Sequence, residues 1–176
     1  SEPVQLPDIS LPISIALNEI DLENIRIYPH GADKPIVIER VQLQAAGENE
    51  RFRLVDLSVH SPQSKATVRG YIQPQGDYPL DLTLLWSSDY EQFGHYDGEG
   101  SVQGTLQALE IQHSLSGDIN SELEAIVNDA LTAPRWDASI TANSKNLGRF
   151  APELDQSPLN ITSQSKGARD KFSFEG

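Results

Sequence analysis

The sequence predicts an all-β protein: a mostly antiparallel, strongly curled sheet, closed as a sandwich or barrel or left as an open apolar groove whose cover is a ligand. Three observations predict it. Apolar residues alternate with polar ones along nearly the whole chain, which is the period of a half-buried strand. Turn-forming clusters separate the alternating runs at short intervals, the grammar of an antiparallel meander. A helical period is almost absent, so at most one or two short helices are expected.

The first run is "LPDISLPISIALNEIDLENIRIYPH", residues 6–30. Its apolar positions are Ile13, Ile15 and Leu17, then Ile20 and Leu22, then Ile25 and Ile27. That is period two, slipped by one residue twice. Ile36 and Ile38, then Val41 and Leu43, form the second run. Phe52 and Leu54, then Leu57 and Val59, form the third, again with one slip. Ala66, Val68, Gly70 and Ile72 follow, then Leu80, Leu82, Leu84 and Trp86. Val102, Gly104 and Leu106 lead with a slip into Leu109, Ile111, His113 and Leu115, read as one further run. Trp136, Ala138, Ile140 and Ala142, then Leu159 and Ile161, then Phe172 and Phe174, complete the series. One-residue slips predict β-bulges, which twist and curl a sheet.

Residues 121–131 fit two periods. Leu123, Ile126, Val127, Ala130 and Leu131 have helical spacing and Ser121 in a capping position, whereas Leu123, Ala125 and Val127 alternate. Helix and strand both remain open, with the neighbouring strands favouring strand. A helical turn is expected at residues 146–154.

A sheet with one apolar face needs a cover: a helix, a second sheet, its own curled edge, or a ligand. The sequence supplies almost no helix. A weak repeat bears on the choice. "TVRGYI" at 67–72 resembles "SVQGTL" at 101–106, with Gly70 and Gly104 separated by 34 residues. Repeated β-units predict an elongated sheet that grows by addition.

Composition excludes several classes of function. At 176 residues, the whole chain, 1–176, is expected to form one domain, a segment of a longer protein that starts in mid-pattern. Apolar runs are far shorter than the roughly 20 residues of a bilayer crossing. A net charge of −13 argues against nucleic acid and against an anionic membrane surface. With no cysteine, disulfides and thiolate chemistry are excluded.

No motif carries chemistry. His30, His60, His95 and His113 are isolated from one another, so no metal-ligand spacing exists. His113 alternates with Ile111 and Leu115 and reads as an inward, hydrogen-bonded histidine. Nucleophile elbow, phosphate loop and calcium-loop spacings are absent. Asp89, Glu91, Asp97 and Glu99 cluster near Tyr90, Phe93 and Tyr96, a grouping expected of solvated surface. Asn160-Ile161-Thr162 matches the short glycosylation acceptor pattern. No enzyme activity, catalytic residue, metal or cofactor is expected.

The apolar alternation is therefore the strongest feature. It suits a sandwich core or a groove that holds acyl chains. Burying one CH₂ is worth about 0.8 kcal/mol, so two chains of about 16 carbons bring on the order of 20 kcal/mol gross.

Several segments together resemble the TamB family. "LPDISLPISIALNEIDLENIRIY" is similar to the lead and first strand near the start of those proteins. "PRWDASITANSKNLGRFAPEL", residues 134–154, resembles their Trp-led strand, turn and Pro-Glu-Leu element, and "SPLNITSQSKG", 157–167, the strand after it. Ser157 departs from the usual glycine. The resemblance implies a periplasmic β-groove, taco-shaped and related to AsmA-like and repeating-β-groove lipid-transfer proteins. It implies an inner-membrane anchor in the full protein and phospholipid or another acyl-chain ligand as cargo. It also implies a TamA-like outer-membrane partner that docks through regions outside this chain. The inward stripe implied as groove lining comprises Ile13, Ile15, Leu17, Ile36, Ile38, Val68, Ile72, Leu80, Leu82, Leu84, Leu106, Ile111, Trp136, Ala138, Ile140 and Ile161. Which face each slipped strand presents stays open. Free edges predict edge-to-edge self-association. The rival functions are a scaffold that presents strand edges to outer-membrane proteins and a closed sandwich that binds carbohydrate through Tyr90, Phe93 and Tyr96. A hydrolase ranks last.

Overall fold

A computed structural model describes residues 6–9, 13–29, 31, 35–48, 50–91, 94–144, 148, 158–168 and 171–175. Within them the chain forms eleven strands: β1 (Ile15–Ile27), β2 (Ile36–Glu48), β3 (Arg51–Ser61), β4 (Ser64–Ile72), β5 (Leu80–Tyr90), β6 (Gly94–Thr105), β7 (Ala108–Ser116), β8 (Asn120–Asn128), β9 (Arg135–Ser144), β10 (Leu159–Ala168) and β11 (Lys171–Glu175). They make one sheet in sequence order, every neighbouring pair antiparallel. β1 and β11 do not pair with each other, so the curled sheet stays open.

No helix lies among the described residues. The ambiguous stretch at 121–131 resolves as strand through Asn128, followed by a turn at Asp129–Thr132. Asp129 takes φ 52°, which ends the strand, and its amide bonds back to the Gln107 carbonyl at 2.9 Å. Alternation wins because flanking strands on both sides offer ladder partners, whereas a helix here would leave both ladders unfilled. The helical turn expected at 146–154 falls almost wholly outside the described residues.

The predicted slips have three different outcomes. Register shifts occur between Leu17 and Ile20, at Gln44/Ala45, and between Leu54 and Leu57. These bulges lie side by side across β1, β2 and β3, so they bend the sheet along one line. The slip between Leu22 and Ile25 is Asn24 itself, which adopts φ 56°. The slip between Leu106 and Leu109 is no bulge. Thr105 pairs with Ala108, and Leu106-Gln107 is a two-residue hairpin turn that divides one expected strand into β6 and β7.

The repeated glycines prove equivalent. Gly70 and Gly104 both take φ beyond 100°, at 140° and 112°. A Cβ at Gly70 would stand 1.9 Å from the Asp81 carbonyl oxygen, and one at Gly104 would stand 2.2 Å from that of Ala108. Only glycine lets the neighbouring strand approach this closely.

There is almost no enclosed core. Among the described hydrophobic residues only Tyr78 and Leu80 are buried. The chain exposes 12379 Å², whereas a compact monomer of 19.4 kDa exposes about 8,500 Å². Stability therefore rests on ladders and on packing along one face. Where the chain turns back between strands, the turns are laced to one another. Leu106 N donates to Asp77 O at 3.0 Å, Ala130 N to Leu106 O at 2.9 Å, and Ile9 N to Pro74 O at 2.8 Å. The Tyr78 hydroxyl donates to the Pro7 carbonyl, which holds residues 6–9 across the β4–β5 turn.

β1 is tied to β2 on the polar side as well. Arg40 makes a forked pair with Asp21 at the surface and approaches Glu23 at 3.8 Å. The Arg40 guanidinium, through its hydrogen bonds first and its charge second, holds the Asp21 carboxyl below the usual carboxylate range. A lowered folded-state pKa stabilises the fold above the unfolded value of about 3.9 and stops doing so as pH falls through the folded value. Acidification below about pH 4 is thus expected to loosen β1 before the central strands. Asp21→Asn should reproduce this at neutral pH, seen as faster amide hydrogen exchange confined to β1 and β2. Unchanged exchange there would show that ladder bonds alone hold the edge.

Candidate functional site: an apolar trough

Cross-strand partners share a face, so the register assembles the alternating residues into continuous rows. One row runs Ile15, Gly47, Phe52, Ile72, Leu80, Gly104, Leu109, Val127, Trp136, Gly167. The next runs Leu17, Ala45, Leu54, Gly70, Leu82, Val102, Ile111, Ala125, Ala138, Ser165. Beyond the bulges the third runs Ile20, Leu43, Leu57, Val68, Leu84, Gly100, His113, Leu123, Ile140, Ser163. The fourth runs Leu22, Val41, Val59, Ala66, Trp86, Gly98, Leu115, Ser121, Ala142, Ile161. Past it, Ser61, Ser64, Ser88 and Tyr96 make the same face polar.

Four rows two residues apart span about 20 Å, and ten strands span about 43 Å. That rectangle of sheet is roughly 850 Å², the glycine, serine and histidine positions of the rows included. Nothing in the described chain covers it. Ile15, Leu17, Ile20 and Leu22 are all more than a third exposed, as are Ile140 and Ile161. At the β1 side of the sheet a 460 Å³ cavity is lined by Ile15, Leu17, Ala45, Ala46, Gly47, Phe52, Leu54, Ile72 and Leu82, with Arg53 and Tyr71.

The floor is flattened by aromatic side chains laid over glycines. A Cβ on Gly98 would stand 2.2 Å from Trp86 Nε1, and one on Gly167 would stand 2.1 Å from Trp136 Cζ2. Both indole N–H groups are satisfied within the floor: Trp86 Nε1 donates to His113 Nε2 at 3.0 Å, and Trp136 Nε1 to Ser165 Oγ at 3.3 Å. The Trp86 and His113 rings stack at 6.1 Å between centroids and 16° between planes.

The opposite face carries the charge. Glu99, Glu110, Glu122, Glu124 and Asp137 all alternate with trough residues on β6–β9. Pairs such as Arg69–Asp56 at 2.7 Å and Lys166–Asp137 at 2.7 Å are surface contacts. No group of three metal-ligating side chains forms among the described residues.

Most residues expected to line the groove enter these rows: Ile15, Leu17, Val68, Ile72, Leu80, Leu82, Leu84, Ile111, Trp136, Ala138, Ile140 and Ile161. Four do not. Ile13 precedes β1 and is 66% exposed. Ile36 and Ile38 pair with Ile27 and Ile25 beyond Asn24, a separate isoleucine quartet at the far end of the hairpin. Leu106 occupies its turn and lines a 510 Å³ cavity with Leu6, Tyr78 and Leu131. Phe52 and Leu54, which the sequence shows only as strand positions, line the 460 Å³ cavity. Their alternation was visible, but which strands stand beside Ile15 and Leu17 was not. Of the aromatic cluster proposed for carbohydrate, Tyr90 ends β5, Tyr96 lies on β6 and Phe93 is outside the described residues. The closed core that a sandwich reading requires is missing among the described strands.

A single open sheet with a charged back and an apolar floor defines a β-groove protein. The chain belongs to the TamB family: the profile of the TamB N-terminal domain matches residues 1–175. No solved structure matches it. The family is a translocation and assembly module that serves the outer membrane and works with TamA-like partners. It is a transport and assembly family, with an inner-membrane anchor and a periplasmic span. Among the described residues no helix is long and apolar enough to cross a membrane.

Proposed function

We propose that this domain is a segment of a periplasmic bridge that carries phospholipid between the inner and outer membranes, with acyl chains in the trough. One observation supports the reading: four rows of mostly apolar side chains share one face of an open sheet, and Ile15, Leu17, Ile20, Leu22, Ile140 and Ile161 among them are each more than a third exposed. Such a surface in water is a strong drive toward an apolar partner, at about 25 cal/mol per Å². Apolar contact is non-directional, so chains slide along the floor while headgroups remain in water. Strand addition lengthens such a trough by about 4.8 Å per strand, which suits a bridge. The sheet's polar back keeps the exterior wet.

The experiment is native mass spectrometry and organic extraction of the purified chain. Stoichiometric co-purified phospholipid is the expected result. A folded, lipid-free protein that also takes up no added phospholipid would overturn the reading.

A second reading has one observation of its own. Among the described strands, β1 is a 13-residue edge strand that pairs only with β2. Such an edge accepts an added strand, as a scaffold for outer-membrane protein assembly would. Protection of β1 amides by an added strand peptide, without lipid binding, would favour the scaffold.

A further inference from the structure

The four trough rows contain one ionisable side chain, His113, set on β7 in the middle of the sheet. Its surroundings are specific. Gly100 stands opposite on one side, where a Cβ would come within 3.2 Å of His113 Cδ2, and Leu123 pairs on the other. Trp86 Nε1–H donates to His113 Nε2 at 3.0 Å while the two rings stack. An indole nitrogen only donates, so Nε2 must present its lone pair. The proton of the neutral ring is then on Nδ1. Nδ1 has no hydrogen-bond partner among the described residues. Trp86 thus fixes the tautomer and leaves Nδ1–H as the imidazole's donor in a floor whose other polar side chains, besides the tryptophan indoles, are Ser121, Ser163 and Ser165.

We infer that His113 is the polar subsite of the trough, where Nδ1–H donates to an acyl oxygen of the bound chain, either a free carboxylate or an ester carbonyl. This rests on the acyl-chain reading above. The physical case is one of direction. The rows of Leu, Ile, Val and Ala hold a chain without fixing its position along the trough. A single hydrogen bond fixes one point. His113 itself lines a 500 Å³ cavity with Gly100, Leu123, Glu99, Glu122 and Glu124, and the apolar cavity that includes Leu82 lies two strands away at about 10 Å, where a tail anchored at His113 would find its cover.

The test is displacement of the uncharged dye phenylnaphthylamine by palmitic acid, methyl palmitate and hexadecane. It is run on the wild-type chain, His113→Leu and His113→Gln. Leucine keeps apolar bulk and removes the donor, whereas glutamine keeps a donor. His113→Leu is expected to weaken palmitic acid and methyl palmitate about five- to tenfold and leave hexadecane unchanged, with His113→Gln restoring most of the loss. A loss for palmitic acid alone assigns a carboxylate; a loss for both assigns the shared carbonyl. Equal loss for hexadecane, or no loss for either oxygen-bearing ligand, overturns the role of His113 and leaves the trough reading standing. Displacement by none of the three in the wild type overturns both. Should His113→Leu lose its strand signal in circular dichroism, the imidazole nitrogen resonances of the wild type decide. A shift of Nδ1 on adding palmitic acid, with Nε2 unmoved, supports the subsite. Two unmoved nitrogens overturn it.

Discussion

Gly70→Ala is expected to lower the melting temperature by about 6–12 °C. Two costs combine. The residue holds φ 140°, a conformation that side chains rarely adopt, and its Cβ would fall 1.9 Å from a backbone oxygen of β5. Strain and overpacking each cost about 1–3 kcal/mol, so roughly 3 kcal/mol is a modest total. A chain of this size loses about 2–4 °C per kcal/mol. The oxygen is main-chain and bonded into the β4–β5 ladder, so no side chain can move aside to relieve the clash. Gly31→Ala is the control. It also has positive φ, 80°, but nothing lies within 4 Å of its Cβ position, so only backbone strain applies. A thermal melt of the two variants separates the terms. If Gly70→Ala melts with Gly31→Ala, close approach of β4 and β5 is not what Gly70 provides.

Leu82→Asp combined with Ile140→Asp is expected to abolish acyl-chain binding while the fold persists. Leu82 lines the 460 Å³ cavity, and Ile140 is 38% exposed on the third row. Neither side chain is enclosed, so water reaches the new carboxylates in the empty trough and the sheet tolerates them. A bound chain would strip that water, and covering an unpaired carboxylate with hydrocarbon costs several kcal/mol. Loss of at least tenfold per site follows. Gln112→Asp, on the polar face between Ile111 and His113, adds charge with no such cost and should bind as wild type. Retained binding in the double variant, with circular dichroism unchanged, would place the ligand elsewhere. The scaffold reading would then gain.

Much of the fold was legible because a strand's two faces are written into its local period. Leu80, Leu82 and Leu84 could only be one face of a strand, and the acidic residues between such positions could only be the other. The TamB resemblance rested on the same residues. One local reading failed and another stayed open for a common reason. The step from Leu106 to Leu109 has the same spacing whether the chain bulges or reverses, and residues 121–131 satisfy both periods. Local pattern is degenerate there, and the available ladder partners break the tie.

What the sequence alone determined is therefore the two-faced strand, its apolar and acidic sides, and a near-absence of helical period along it. The tertiary structure decided everything that depends on register. It set Phe52 and Leu54 beside Ile15 and Leu17, aligned three bulges into one bend, and laid Trp86 over Gly98 with its indole on His113. It also placed Ile13 ahead of β1 and Leu106 in the turn between β6 and β7. The reason is physical. Alternation is a property of one strand and is set by its own backbone, whereas a trough is a property of many strands and exists only once hydrogen bonds have fixed which residues stand side by side.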